Sequence, residues 1–364
     1  GESWIFKRPG MLQCGATISG NGYGVYNWLG DIYRIQGAAM YKNDVVLAGA
    51  VDATGGVYRF SSCIGGTPKL TFGNGVHAYN YDSGGGIVAI DTGPNVNFAP
   101  PFRKGWAYLD GHTYCVFPNA TVHNDDTLNT PETWTDVLNV VTAQIEPDMG
   151  VACAKQLVYV IVFKTWTTEV FYDAELSPGS PLGPVQGAKV NYGCVNQDSV
   201  QEIDGQLIWA ATNRSAAVQI VLMDNLKAQV ISTKAVERIL GEADFSSVLS
   251  FGFKYEGHRF YGLTLKNDNI TLVYDIAEKM WAQWTDTDGN YFPISSVTYI
   301  AGNAPVLQHE TNGKCYYIDA AYTTDDGSLI TVDLYTPNFD GGTARRKMLG
   351  NQWFIGDQIE GCIL

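Results

Sequence analysis

A hairpin turn that returns at nearly regular intervals constrains this chain more than any other feature. A strand closes in a Gly, Asp-Gly, Glu-Gly or Asn-Gly turn and an aromatic-rich strand follows. The copies are Trp28-Leu29-Gly30-Asp31-Ile32-Tyr33, Trp106 to Leu109 with Asp110-Gly111 and His112 to Tyr114, and Val200 to Ile203 with Asp204-Gly205 and Gln206 to Trp209. Two more are Phe253 to Tyr255 with Glu256-Gly257 and His258 to Tyr261, and Leu307 to His309 with Asn312-Gly313 and Lys314 to Tyr317. Asp-Gly and Asn-Gly suit two-residue hairpins because both central residues take positive φ. The turn glycines stand at 30, 111, 205, 257 and 313, so the last two gaps are 52 and 56 residues, and the gap of 94 holds two units joined by a degenerate turn near Lys155-Gln156. A period of roughly 45–55 residues with about four strands per unit is the signature of a β-propeller.

The chain is therefore expected to be all-β: one propeller-like domain over residues 1–364 with about six blades of antiparallel strands and few short helices. The expected blade-like units are 20–100, 101–150, 151–198, 199–248, 249–302 and 303–350. The long gap from Gly30 to Gly111 accommodates either one blade or two. Composition agrees. Charged residues make up 16%, against roughly 25% in ordinary soluble proteins, while 40 glycines and 21 tyrosines suit many short strands and tight turns. The apolar run Leu157 to Phe163 reads as a strand and is far too short to span a bilayer. Helices are expected only at Thr233 to Leu240, with Ser232 as N-cap, and weakly at Pro131 to Leu138.

Tests for chemistry return nothing, so the expectation is no catalytic residue, no metal site, no cofactor and no enzyme. His77, His112, His123, His258 and His309 show no metal-ligand spacing, and His112 and His258 simply follow turn glycines. Gly20-x-Gly22-x-Gly24 and Gly84-Gly85-Gly86 lack the following helix that would hold phosphate and read as turns. Asp286-Thr287-Asp288-Gly289 resembles a calcium loop but has Val297 where a bidentate Glu belongs. The seven cysteines, Cys14, Cys63, Cys115, Cys153, Cys194, Cys315 and Cys362, are odd in number and lack Cys-x-x-Cys, which points to buried thiols and assembly in a reducing compartment. A net charge of −14 argues against gripping nucleic acid. Arg345-Arg346-Lys347 reads as a solvated face, and the sequons at Asn119, Asn213 and Asn269 as chance matches. No membrane anchor is expected.

Several ordered stretches resemble a known family, the packaged-DNA stabilisation or tail-nozzle proteins of short-tailed bacteriophages. They are Lys7-Arg8-Pro9-Gly10-Met11, Gly24-Val25-Tyr26, Leu29 to Tyr33, Pro131-Glu132-Thr133-Trp134 and Ala143-Gln144-Ile145-Glu146-Pro147-Asp148. Further along come Trp166 to Ala174, Pro184 to Ala188, Tyr192-Gly193-Cys194, Ile231 to Glu237, Tyr255 to Tyr261, and Val273 to Trp281. The resemblance covers residues 5–350 in order. Departures are Lys234, where the resemblance leads one to expect histidine, and the ends: the resemblance implies a further segment ahead of the Lys-Arg-Pro-Gly stretch, and the given sequence runs to Leu364 soon after the strand-like Gln352-Trp353-Phe354-Ile355.

The resemblance implies a virion protein of the phage tail, assembled in the host cytoplasm. It implies a ring, commonly of about six copies, below the portal and adaptor. That ring would extend the tail tube, retain packaged DNA and conduct it during ejection, with an adaptor above, fibres or spikes and a needle or plug docked on it, and genomic double-stranded DNA passing through the lumen. Two other readings stay open on residues alone. A carbohydrate-binding or glycoside-cleaving propeller would present two inward carboxylates about 5–10 Å apart. An interaction scaffold would carry a repeating Trp-Asp or kelch signature, which Trp4, Trp28 and Trp106 do not show.

Overall fold

The computed structural model describes residues 7–215, 217–300 and 304–333. The chain divides into two compact units, Gly1–Ile330 and Thr331–Leu364, and the architecture below belongs to the first. Arg345-Arg346-Lys347, Gln352 to Ile355, Trp4 and Cys362 lie outside the described residues.

Seven sheets, antiparallel but for one parallel pairing of Met11 with Asp325, follow one another, so the blades number seven rather than about six. Blade 1 is Gly22–Trp28, Asp31–Gln36, Ala39–Lys42 and Val45–Ala50; blade 2 is Arg59–Cys63, Lys69–Gly73, Ala78–Asp82 and Gly86–Ala89. Residues 20–100 thus hold two blades. Blade 2 is hidden in the sequence because its first turn is the longer loop from Ile64 to Pro68 and not a two-residue turn. Blade 3 is Ala107–Leu109, His112–Val116, Thr121–Asn124 and Val140–Thr142, and blade 4 is Gly150–Gln156, Tyr159–Lys164, Thr168–Asp173 and Leu182–Pro184. In blade 5 the first strand is broken into Gly193–Cys194 and Gln201–Ile203, both paired with Gln206–Thr212, and Gln219–Asp224 and Lys227–Val230 follow. Blade 6 is Val248–Tyr255, His258–Leu265, Ile270–Asp275 and Met280–Gln283.

Blade 7 takes strands from both ends of the described chain. Ile294–Tyr299, Pro305–His309 and Cys315–Asp319 come from the far end. The fourth strand is Gly10–Cys14, antiparallel to the third, with Gly10 opposite Asp319 and Cys14 opposite Cys315. This closes the ring. Ile294–Tyr299, expected in the unit 249–302, is therefore the first strand of the last blade. The first strands of neighbouring blades pack around a common axis.

The turn chemistry read from sequence is realised at four of its five copies; at Asn312-Gly313 only the glycine takes a positive φ, 76°, in a longer loop between the second and third strands of blade 7. Leu29 and Gly30 have φ of 55° and 87°, Asp110 and Gly111 47° and 90°, Asp204 and Gly205 56° and 79°, and Glu256 and Gly257 48° and 84°. Both central residues of each pair are left-handed, as the twist of a two-residue hairpin requires. The degenerate turn of blade 4 falls at Leu157-Val158, two residues after the expected Lys155-Gln156. The apolar run from Leu157 is thus a hairpin tip followed by a strand; Leu157 and Val158 stay exposed while Val160 to Phe163 are buried. The one α-helix among the described residues is Lys234–Glu242, capped by Thr233, whose Oγ1 accepts from the Val236 amide; Ser232, the expected cap, precedes it. Residues 131–138 form turns and no helix. The core lies between blades, as layered sheets demand: separate apolar clusters join blades 1 and 2, 3 and 4, 4 and 5, 5 and 6, and 6 and 7.

Candidate functional site

The break in the first strand of blade 5 leaves the single turn Gln197–Ser199. Its capping residue Asn196 accepts from the Asp198 amide at 2.7 Å and donates its own amide to Phe245 O at 2.7 Å. Side chains from three other parts of the ring converge on this turn. Arg59 from blade 2 donates to Asp198 O at 3.1 Å. Lys104, just ahead of blade 3, places Nζ 2.8 and 3.0 Å from the two Asp198 carboxylate oxygens, and its amide donates to Gln197 Oε1 at 2.9 Å. From blade 6, Ser250 Oγ donates to Asp198 O and Tyr261 OH donates to Ser199 O at 2.7 Å. Burial pulls the Arg59 guanidinium below its ordinary pKa, and Asp198 opposes that. Contacts from blade 2, from the segment ahead of blade 3 and from blade 6 thus meet at this one turn of blade 5.

Beside this turn a cavity of about 420 Å³ opens at the end of the ring where the first strands begin. Its lining includes Tyr23, Lys104, Asp198, Lys266 and Glu310. Both carboxylates are occupied by ammonium groups, Asp198 by Lys104 and Glu310 by Lys266. Glu310 also accepts from Tyr291 OH at 2.9 Å. A second cavity of about 340 Å³ lies at the rim of blades 3 and 4, lined by Asp110, Val158, Tyr159, Tyr172, Asp173 and Val185.

The five histidines are dispersed: His112, His123, His258 and His309 lie in four different strands, and His77 directly precedes another. His112 Nδ1 meets Asp125 at 2.6 Å and His258 Nδ1 meets Asp275 at 2.6 Å, each joining the residue after a turn glycine to a carboxylate at or just past the end of the next strand. His77 pairs with Asp91 at 2.7 Å. Burial raises the Asp125 carboxyl to about 6 even though His112 pulls it down; burial also depresses His112, and Asp125 more than offsets that. His123 lies 2.7 Å from Asn97 O, and His309 Nδ1 accepts from the Thr311 and Asn312 amides at 3.1 and 3.2 Å. Asp286 forms a turn, its Oδ1 accepting from Asp288 and Asn290 amides at 2.9 and 2.8 Å. Gly20 lies in a bend, whereas Gly22 and Gly24, expected in a turn, lie in the first strand of blade 1. Among the described residues no three His, Cys, Asp or Glu side chains are grouped to hold a metal.

Sequence reasoning missed a buried ionic cluster between two of its own motifs. Lys164, fully buried, bonds Asp148 at 2.7 Å and Glu169, and donates to Glu146 O at 2.8 Å. Asp148 also accepts from the Trp166 and Thr167 amides at 2.8 and 3.0 Å. Burial alone would raise the Asp148 carboxyl, but Lys164 and those amides hold it below its ordinary value. The stretches Ala143 to Asp148 and Trp166 to Ala174 therefore meet around one ammonium. Two acids near one lysine within a short span were the available signal. Such a cluster fixes geometry more than it adds stability.

Fold and site together define a seven-bladed β-propeller whose blades 2, 5 and 6 are tied together at the Gln197–Ser199 turn. The family model described as bacteriophage P22 Gp10, beta-propeller (Phage_stabilise) matches residues 2–322, and the chain belongs to that family. No curated protein matches it. Solved structures share the fold at low identity. A catalytically inactive form of virginiamycin B lyase from Staphylococcus aureus is 8% identical with a TM-score of 0.51, over 85% of this chain and 99% of that one. The extracellular domain of BT4673 from B. thetaiotaomicron is 10% identical with a TM-score of 0.51, over 86% of this chain. PorZ of Porphyromonas gingivalis is 7% identical with a TM-score of 0.46, over 89% of this chain. The chain spans 40% of the length of BT4673 and of PorZ. No helix among the described residues is long and apolar enough to cross a membrane.

Proposed function

We propose that the protein is a structural component of a short-tailed phage tail, a ring of copies below the portal and adaptor that retains packaged DNA and conducts it during ejection. The observation that carries this is membership of the P22 Gp10 family over residues 2–322. Side chains from several blades meet at the Gln197–Ser199 turn, so on this reading the conduit is the lumen enclosed by several propellers and not the middle of one. A net charge of −14 suits a wall along which phosphate slides without binding. Subunit packing needs an adhesive flank, and the outer strand of blade 1 supplies one. Val45 to Ala50 carries no polar side chain, Val45 is 68% exposed and Val46 58%, and the edge leaves backbone groups unpaired. The partners are further copies of this chain, the adaptor above, fibres or spikes and a needle or plug, with genomic DNA in the lumen; the location is the virion tail.

The test is negative-stain microscopy and mass photometry of the purified protein, alone and with adaptor-capped portal. Closed rings of about six subunits support the reading. A strict monomer under all conditions, or one that cleaves a polysaccharide, sinks it. Lumen-lining side chains that prove mainly basic would overturn the sliding mechanism alone.

A further inference from the structure

The strand that closes the ring carries a cysteine facing a cysteine. Cys14 and Cys315 are direct partners across the antiparallel pair of Gly10–Cys14 and Cys315–Asp319, and both are free thiols. Directly opposed residues on antiparallel strands point to the same side of the sheet, with Cα atoms about 4.5–5.5 Å apart. A disulfide needs Cα atoms about 4.4–6.8 Å apart. Cys14 is the last residue of its strand, and Gly15 follows with φ of 69°.

We propose that Cys14 and Cys315 are a disulfide site that covalently locks the closing blade once the protein leaves a reducing compartment. The timing, though not the bond, rests on the virion reading above. A low-molecular-weight disulfide such as oxidised glutathione is the oxidant. One cysteine thiolate attacks it, releases one glutathione thiolate and carries a mixed disulfide; the second thiolate attacks the protein-side sulfur and releases the other glutathione. Two protein thiols are oxidised, one glutathione disulfide is reduced to two thiols, and the two cysteine protons go to water or to the departing thiolates.

Burial raises the Cys315 thiol above its ordinary value, and the Arg34 guanidinium 3.5 Å from its Sγ offsets part of that. Arg34 also binds Asp44 at 2.8 Å and Ala16 O at 2.7 Å, so it grips the segment just past Cys14. Burial pushes the Cys14 thiol up to about 12, with Cys315 adding to the effect. A reducing compartment keeps both thiols reduced during folding, and an external disulfide closes the latch after release. Cys63, Cys115, Cys153 and Cys194 are buried in blades 2, 3, 4 and 5, away from this edge. Locking matters here because Gly10–Cys14 is what joins the start of the ring to its last blade, and a terminal strand is where local opening begins.

Full-length protein, reduced and then exposed to oxidised glutathione, is denatured with an alkylating agent and peptide-mapped. The expected product is the Cys14 peptide linked to the Cys315 peptide, reversed by dithiothreitol. It forms about tenfold faster per pH unit below the thiol pKa and gives a faster band on a non-reducing gel. Cys14→Ser and Cys315→Ser each abolish that band; if either fails to fold, the map of the unmodified sequence decides. Separate alkylation of both cysteines, stable glutathione adducts, or a bridge to a different cysteine overturns the proposal. The map is read on monomer or ring alike, so a protein that forms no ring leaves the result standing.

Discussion

The seam between blades 5 and 6 and the seam that closes the ring between blades 7 and 1 are built from opposite materials. In the first, Ile208, Ile220 and Leu222 of blade 5 pack with Tyr261, Leu263 and Leu272 of blade 6, and the helix residues Val236 and Leu240 cover the cluster. In the second, Gln308 is fully buried and acts as a connector. Its Oε1 accepts from the Gly24 amide at 2.7 Å, and its Nε2 donates to Ile35 O at 2.9 Å and Gln36 Oε1 at 3.1 Å. Asn27 donates to Thr298 Oγ1 at 2.8 Å, and the Gly22 amide to Glu310 O at 2.7 Å. A Cβ on Gly22 would sit 2.4 Å from His309 O, so the two blades approach backbone to backbone. Apolar packing is strong but not directional; hydrogen bonds contribute less net energy and demand one geometry. Seams between successive blades form from neighbouring sequence. The closing seam joins distant parts of the chain and needs a register, which the polar contacts specify.

The comparison breaks most visibly in the apolar seam. Leu263→Ala should cost about 4 kcal/mol, in the upper part of the range for a fully buried leucine, measured as a shift in the denaturation midpoint. A cost below about 1 kcal/mol would mean that the seam relaxes freely and is not a packed core. A pH titration separates the seams next. Burial depresses His309 from its ordinary 6.5 to about 4, and its Nδ1 accepts two amides and so must stay unprotonated. The folded pKa lies below the unfolded one, so this stability is fully present above pH 6.5 and is lost as pH falls through 4. The loss is roughly 3 kcal/mol at most. The apolar side chains of the other seam do not titrate in that window. His309→Gln should therefore flatten the acid limb of the stability curve while leaving the value at pH 8 nearly unchanged; an unaltered limb would remove His309 from the account.

What was legible in the sequence follows the same division. Turns whose chemistry is local, Asp110-Gly111, Asp204-Gly205 and Glu256-Gly257, gave three blades directly, because positive φ at two adjacent residues restricts residue type. Blade 2 escaped because its loop from Ile64 to Pro68 breaks the pattern, and the turn of blade 4 was misplaced because Leu157 and Val158 look like strand while standing exposed at a tip. The first strand of blade 7 was assigned to the preceding unit because its blade is finished by Gly10–Cys14, which no local pattern announces. The cluster at Gln197–Ser199 and the polar seam are invisible for that reason too: Lys104 and Asp198, or Gly24 and Gln308, carry no signal in sequence that they touch.

Gln308→Leu tests whether the polar seam specifies register. The substitution keeps the approximate volume but leaves the Gly24 amide and Ile35 carbonyl without their partner, at about 1–3 kcal/mol. The more telling readout is hydrogen exchange: faster exchange confined to Gly22–Trp28 and Gly10–Cys14 marks a closure that slips, whereas uniform acceleration marks a loss of global stability only.

At the surface the two seams should stop differing. Lys254 of blade 6 and Asp204 in the first turn of blade 5 form a 2.8 Å pair across the rim of the apolar seam, with both side chains about half exposed, 51% and 48%. The Asp204 carboxyl is held below its ordinary value by its hydrogen bond to Lys254. Water screens a pair this exposed, and ordering a lysine offsets much of the attraction. Lys254→Ala should accordingly change stability by no more than about 0.5 kcal/mol, and less as salt is added. A double-mutant cycle with Asp204→Ala checks it. A coupling well above that figure would mean that the rim of the apolar seam carries directional specificity of its own, and the contrast with the closing seam would narrow to one of degree.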